Sequence, residues 1–211
     1  MNKTVELVNE WAGFEKKTPD GSIEDFCKYY LGKQRSRAVK GKLVGGVIPP
    51  FNDGLLLKIL GRITKLNMFY ANKALEGTGV NQIEEFGVLA TIAQEINARK
   101  TDIIYSNLLE LSSGTDLLNR LKARGLIREH SDENDRRSKR ISLTIKGLKV
   151  TAICYDRITR NTRLLLNDLA NDDKELCVHI LKGIEIRFSA LWLRHKSKSF
   201  DEICREVILA E

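Results

Sequence analysis

The spacing of apolar residues divides the chain into helices first, one strand pair second and helices again. From Asp53, a candidate cap, Leu56, Ile59, Ile63, Leu66 and Tyr70 form one helical stripe to about Glu76, and Gly77-Thr-Gly79 breaks it. Asn81 with Glu84 three residues on marks a second start. Ile83, Phe86, Ala90, Ala93 and Ile96 carry that helix to about Asn97. Thr101 or Asp102 can cap a third through Glu110, and Ser113-Gly-Thr-Asp116 fits a capping box for a fourth, stopped by Gly125. The period then falls to two: Leu126 to His130 and Arg140 to Leu143 flank the polar stretch Ser131 to Lys139, predicting a hairpin with a charged tip. Thr144 to Ala170 and Asn171 to His195 read as two long helices. Their stripes are Leu148, Ala152, Tyr155, Thr162, Leu165 and Leu169, then Leu176, Ile180, Ile184, Phe188 and Leu191. A last amphipathic turn or two carries Ile203 and Val207.

Residues 1–50 form an appendage. Val5, Val8 and Trp11 recur at helical spacing, and Ser22 to Asp25 offers a capping box for a helix with Ile23, Phe26, Cys27, Tyr30 and Leu31 on one face. Between Gly32 and Pro50 come Lys33, Arg35, Arg37, Lys40 and Lys42 with no acid. That pattern suits a solvated connector or an arm along phosphates.

Composition changes the picture little. Lys and Arg total 35 against 28 acids in 211 residues, a net charge of +7 that favours polyanions without requiring them. Cys27, Cys154, Cys177 and Cys204 lie too far apart for zinc spacing and are expected to be reduced and mostly buried. No metal or cofactor is implied. No apolar run reaches the roughly 20 residues of a membrane span, and Asn2, Lys3, Glu6 and Glu10 interrupt any signal pattern, so a soluble cytoplasmic protein is expected. His130, His179 and His195 accompany no nucleophile signature or phosphate loop, which argues against an enzyme.

The fourth helix carries the candidate chemistry. Gly114, Leu117, Leu118 and Leu121 fall on one side of its wheel. Ser112, Thr115, Asp116, Asn119 and Ala123 fall on the other, flanked by Arg120 and Lys122, a polar face suited to a major groove. Ser112 and Ser113 stand where free backbone N–H groups favour a phosphate. Asp116 is expected to cap back onto Ser113, leaving base reading to Thr115, Asn119 and Arg120. At the hairpin tip Arg136, Arg137, Lys139 and Arg140 follow a run of acids. A guanidinium there can enter a narrow minor groove, with Asp135 holding Arg137, or the tip is a solvated turn of surface ion pairs. Phosphate contacts are expected from Ser112, Lys122, Lys139 and Arg140.

Helix, helix, groove-facing helix and basic-tipped hairpin is the order of a winged helix-turn-helix. The stretches Leu117-Leu-Asn-Arg-Leu-Lys-Ala-Arg-Gly-Leu-Ile-Arg128 and Asp135-Arg-Arg-Ser-Lys-Arg-Ile-Ser-Leu-Thr-Ile-Lys-Gly147 resemble the multiple-antibiotic-resistance regulator (MarR) family over about residues 53–195. The resemblance implies a mainly α fold with a small β-hairpin wing. It implies a homodimer on double-stranded DNA, a palindromic operator and a transcription regulator, expected to be a repressor. The recognition role passes to the helix from Ser113 to Arg124 and the wing role to Asp135, Arg136, Arg137, Ser138, Lys139 and Arg140. Gly114 and Asp116 depart from the family's larger or basic residues. Residues 51–80 and 144–211 would form the dimerisation region and 81–143 the DNA-binding region. Many relatives release DNA on binding a small aromatic or phenolic ligand, for which Phe69, Tyr70, Tyr105 and Trp192 are the candidate lining. Two alternatives stand: an architectural binder blind to sequence, and a redox sensor using Cys27 beside Tyr29 and Tyr30. Cys27 is a weak sensor candidate, with Lys28 as its one neighbouring cation.

Overall fold

The computed structural model describes residues 2–38, 45–95, 97–131 and 139–208. It divides into two units, residues Met1–Pro50 and Phe51–Glu211. Ile96, Lys40, Lys42 and the wing-tip residues Asp135, Arg136, Arg137 and Ser138 lie outside the described residues.

In the first unit α1 (Lys3–Glu15) and α2 (Ile23–Ala38) pack against each other. The box expected at Ser22 is formed: Asp25 Oδ2 accepts the Ser22 N–H at 3.0 Å and Ser22 Oγ accepts the Asp25 N–H at 3.1 Å. Trp11, Phe14, Phe26, Tyr29 and Tyr30 interlock with ring centroids 4.9 to 6.0 Å apart. Leu7, Val8, Trp11, Ile23, Phe26 and Cys27 line a wholly apolar groove beside them.

The second unit runs α3 (Asn52–Leu75), α4 (Ile83–Gln94), α5 (Lys100–Ser106), α6 (Leu111–Ala123), β1 (Ile127–Ser131), β2 (Lys139–Leu143), α7 (Ile145–Leu166), α8 (Asn171–His195) and α9 (Phe200–Ile208). The strands pair antiparallel with Ile127 opposite Leu143 and Ser131 opposite Lys139, the hairpin that the period-two pattern predicts. The core lies where α4, α5, α6 and the hairpin meet α7; Leu89, Ile103, Ile104, Leu121, Leu126, Ile141 and Cys154 are its sealed centre. Thr144 caps α7, its side chain accepting the Gly147 N–H.

Several expected starts shift. The N-caps of α3, α4, α5 and α6 are Phe51, Gln82, Arg99 and Glu110, none with a side-chain cap, in place of Asp53, Asn81, Thr101 or Asp102, and Ser113. Side-chain acceptors from inside and outside the helix fasten the start of α4 instead. Asn72 Oδ1 accepts the Ile83 N–H at 2.8 Å and Glu85 Oε2 accepts the Asn81 N–H at 2.9 Å. α5 ends at Ser106 rather than Glu110 because Leu108 turns into the left-handed region at φ +53°. The cysteines also depart from expectation. Cys154 is buried and Cys204 half-buried, but Cys27 and Cys177 are exposed, Cys27 at the edge of the apolar groove and Cys177 on α8, none of whose residues is buried.

The stripes of the long helices face outward. Leu56, Ile63 and Leu66 of α3 and Leu176, Ile180, Ile184 and Phe188 of α8 are exposed, and no residue of α8 is buried. The buried face of α7 is small and polar instead: Gly147, Thr151, Cys154 and Asn161. Asn161 Nδ2 donates to Asn67 Oδ1 at 3.1 Å across the α3–α7 contact. α9 folds back on α8, where Glu206 pairs with Arg194 and Lys198.

Candidate nucleic-acid interface

α6 is a helix with one face sealed and one open. Gly114, Leu117, Leu118 and Leu121 are buried, whereas Ser112, Ser113, Asp116, Asn119, Arg120 and Lys122 are exposed and Thr115 is half-buried. Gly114 is what lets α6 lie close to α5: a Cβ there would stand 2.6 Å from Ile104 Cγ2. A larger residue would lever the open face away from its support. The helix ends in a Schellman turn. Gly125, at φ +70°, donates its N–H to Lys122 O at 2.9 Å, and the Leu126 N–H reaches Leu121 O at 3.0 Å. That turn feeds directly into β1, so the open face and the wing hairpin are positioned together.

Asp116 does not cap. The helix begins at Leu111, so Asp116 lies in its second turn, and Ser113 Oγ donates to the Glu110 carbonyl at 3.2 Å. Asp116 therefore presents an exposed carboxylate in the middle of the open face of α6. Among the wing residues, Lys139 Nζ donates to Ser131 Oγ at 3.1 Å. Arg140 turns inward and donates to the Asn97 carbonyl, where Arg99 also bridges to Arg140 and the Ile141 N–H meets Ala98 O at 3.1 Å. The segment before α5 thus adds a short third edge to the hairpin.

Two acids absent from the sequence-based site hold this arrangement. Glu85 is 2% exposed, yet it faces Arg124 Nη2 at 2.7 Å and Arg120 Nε at 3.9 Å, while Arg124 Nη1 donates to Gly79 O at 3.0 Å. A buried carboxylate survives only with such partners, and here they lock the start of α4 to the end of α6. The sequence did carry a signal: Glu85, Leu89 and Ile92 fall at i, i+4 and i+7 on the buried face. The second acid, Glu129 of β1, meets Lys122 at 3.0 Å and Lys100 at 3.8 Å. The Lys122 hydrogen bond holds its carboxyl below the usual carboxylate range. Partial burial opposes this, and the charges of Lys100, Lys122 and Lys139 reinforce it.

The four candidate ligand-lining aromatics fall into two pairs. Phe69 and Tyr70 stack edge to face on α3 at 5.1 Å, and Tyr70 borders a cleft of about 410 Å3 with Lys73, Arg157, Arg160, Asn161 and Leu164. Tyr105 meets Trp192 at 6.3 Å, with Lys196 Nζ 3.9 Å from the Trp192 ring centroid and 2.9 Å from Glu110. Among the described residues no cluster of three or more His, Cys, Asp or Glu could hold a metal ion, and no helix is long and apolar enough to cross a membrane.

Solved structures with the same arrangement exist. AbsC, a MarR family transcriptional regulator from Streptomyces coelicolor, superimposes with a TM-score of 0.60 at 19% identity, over 67% of this chain and 99% of its own. PcaV from the same organism, in complex with its natural ligand, gives 0.57 at 19% over 68% and 97%. A mutant MarR from E. coli complexed with operator DNA gives 0.59 at 20% over 64% and 98%. The fold is that of the MarR-family regulators. The MarR fold accounts for the mainly helical architecture with a two-stranded antiparallel hairpin. No protein-family model matches the sequence, and neither does any curated protein.

Proposed function

We propose that this chain is a DNA-binding transcription regulator that acts as a homodimer on a palindromic operator, as a repressor. The observation that carries the proposal is α6: an exposed row of Ser112, Asp116, Asn119, Arg120 and Lys122 on a helix whose opposite face is sealed into the core. Bulky apolar groups are absent from the open face beyond the first residue, Leu111, as entry into a major groove requires. Asn119 and Arg120 read base edges, and Asp116 accepts a hydrogen bond from a cytosine amino group. Ser112, Lys122 and Lys139 meet phosphates, and Arg137 enters the minor groove with Asp135 as its positioning partner. Two copies would set their α6 helices about one helical turn, roughly 34 to 36 Å, apart.

Selection of bound sites from random duplex DNA tests this. A palindromic winner, bound far more tightly than a scrambled duplex, is the expected result. Uniform binding of every sequence, with an affinity set by salt alone, would mean an architectural binder instead. Release by a small molecule is the regulatory part of the proposal. The cleft beside Tyr70 combines a phenol ring with Arg157 and Arg160, and the buried Asn161 Oδ1 there has no hydrogen-bond partner, features that suit a small aromatic acid or phenol. Titrating hydroxybenzoates into the operator complex, with Arg160→Gln as the control variant, decides whether that cleft is used.

A further inference from the structure

We propose that Glu129 sets the phosphate affinity of the DNA-facing surface, by holding Lys122 and Lys100, beside Lys139, at the junction of α6 and the wing and competing with DNA phosphates for them. This rests on the DNA-binding reading above. The three cations come from three different elements: Lys100 from α5, Lys122 from α6 and Lys139 from β2. Lys122 lies 3.0 Å and Lys100 3.8 Å from the carboxylate, and Lys139, anchored on Ser131 at 3.1 Å, adds its charge from the neighbouring strand. The Glu129 side chain is only 20% exposed, so it is a fixed element of the surface rather than a mobile counter-ion.

One carboxylate among three ammonium groups leaves two net positive charges for DNA. A phosphate that engages Lys122 must displace the carboxylate from a charge-assisted hydrogen bond. That cost falls on matched and mismatched duplexes alike, because phosphate contacts carry no sequence information. Glu129 therefore weakens binding to every duplex by a similar factor and leaves the preference between them to the base contacts of α6.

The experiment compares the full chain with Glu129→Gln and Glu129→Asp. Each is titrated with the duplex that the wild type selects and with a scrambled duplex of equal length, over a range of salt. In Glu129→Gln the freed charge should steepen the log-log salt slope on scrambled DNA by about 0.9, the value for one additional phosphate contact. Affinity for the scrambled and the selected duplex should rise several-fold at low salt, with the preference between them kept. Glu129→Asp keeps the charge and should keep the wild-type slope, which separates the electrostatic role from mere packing. An unchanged slope and affinity in Glu129→Gln, or a loss of affinity on both duplexes, would overturn the proposal. A wild type that selects no duplex at all would instead remove the DNA-binding reading on which it stands.

Discussion

The hydroxyl of Thr144 accepts the Gly147 N–H at 2.9 Å and donates to the Gly125 carbonyl at 2.7 Å, so one side chain both starts α7 and closes the turn that ends α6. Thr144→Ala removes the cap and leaves that carbonyl without its donor. We expect a loss of about 1 to 2 kcal/mol, seen as a lower urea midpoint at unchanged slope, with Thr144→Ser recovering most of it. A loss within a few tenths of a kcal/mol would mean that packing alone sets the start of α7. The cysteines give a second test at this scale. Burial pushes the Cys154 thiol above its ordinary range, so less of it is thiolate at neutral pH, and it is fully covered, whereas Cys27 is exposed. In native protein iodoacetamide should label Cys27 readily and Cys154 only as fast as the fold opens; comparable rates for the two would contradict the packing around α7.

Among the elements, those with chemically explicit boundaries were legible in the sequence. Ser22 with Asp25, Thr144, and Gly125 each satisfy backbone groups through their own side chain or a left-handed φ, and each stands where the pattern puts it. The starts of α4, α5 and α6 carry no side-chain cap, and at α4 a contact from the preceding helix, Asn72 to Ile83, defines the end instead. Periodicity located the stripes of α3 and α8 but carried no information on what covers them. The polar face of α6 was readable from its wheel, whereas the role of Asp116 depended on a helix start that no local signal marks. Glu85 was hidden because a glutamate is ordinarily counted as surface. Its importance is testable: Glu85→Ala takes the carboxylate partner from Arg124 Nη2 and the acceptor from the Asn81 N–H. The expected cost is about 3 kcal/mol, at the lower end for a broken buried pair because Arg124 is a quarter exposed. A cycle with Arg124→Ala should show strong coupling; additive losses would mean that the two residues act separately.

At the scale of the molecule, a 25-residue helix that buries none of its side chains is the feature a single chain cannot explain. Ile180, Ile184 and Phe188 of α8 are each about half exposed, and α3 adds Leu57, Ile63, Leu66 and Phe69. Exposed apolar faces on two long helices suit an interface, since leaving them in water forfeits about 25 cal/mol for each Å2 that contact would bury. In the proposed homodimer these faces cover one another, and the pairing fixes the distance between the two α6 helices. Replacing Ile184 and Phe188 together with glutamate places charges in that contact and leaves α6, the hairpin and the buried core untouched. The wild type should sediment at about twice the 24.0 kDa of one chain. The double variant should sediment as a monomer that keeps its cooperative unfolding transition. Its affinity for a palindromic duplex should fall to that for an isolated half-site, because the second half-site is no longer engaged at high effective concentration. A variant that stays dimeric, or a monomer that binds the palindrome as tightly as the wild type, would show that α8 does not set the spacing of the two reading helices.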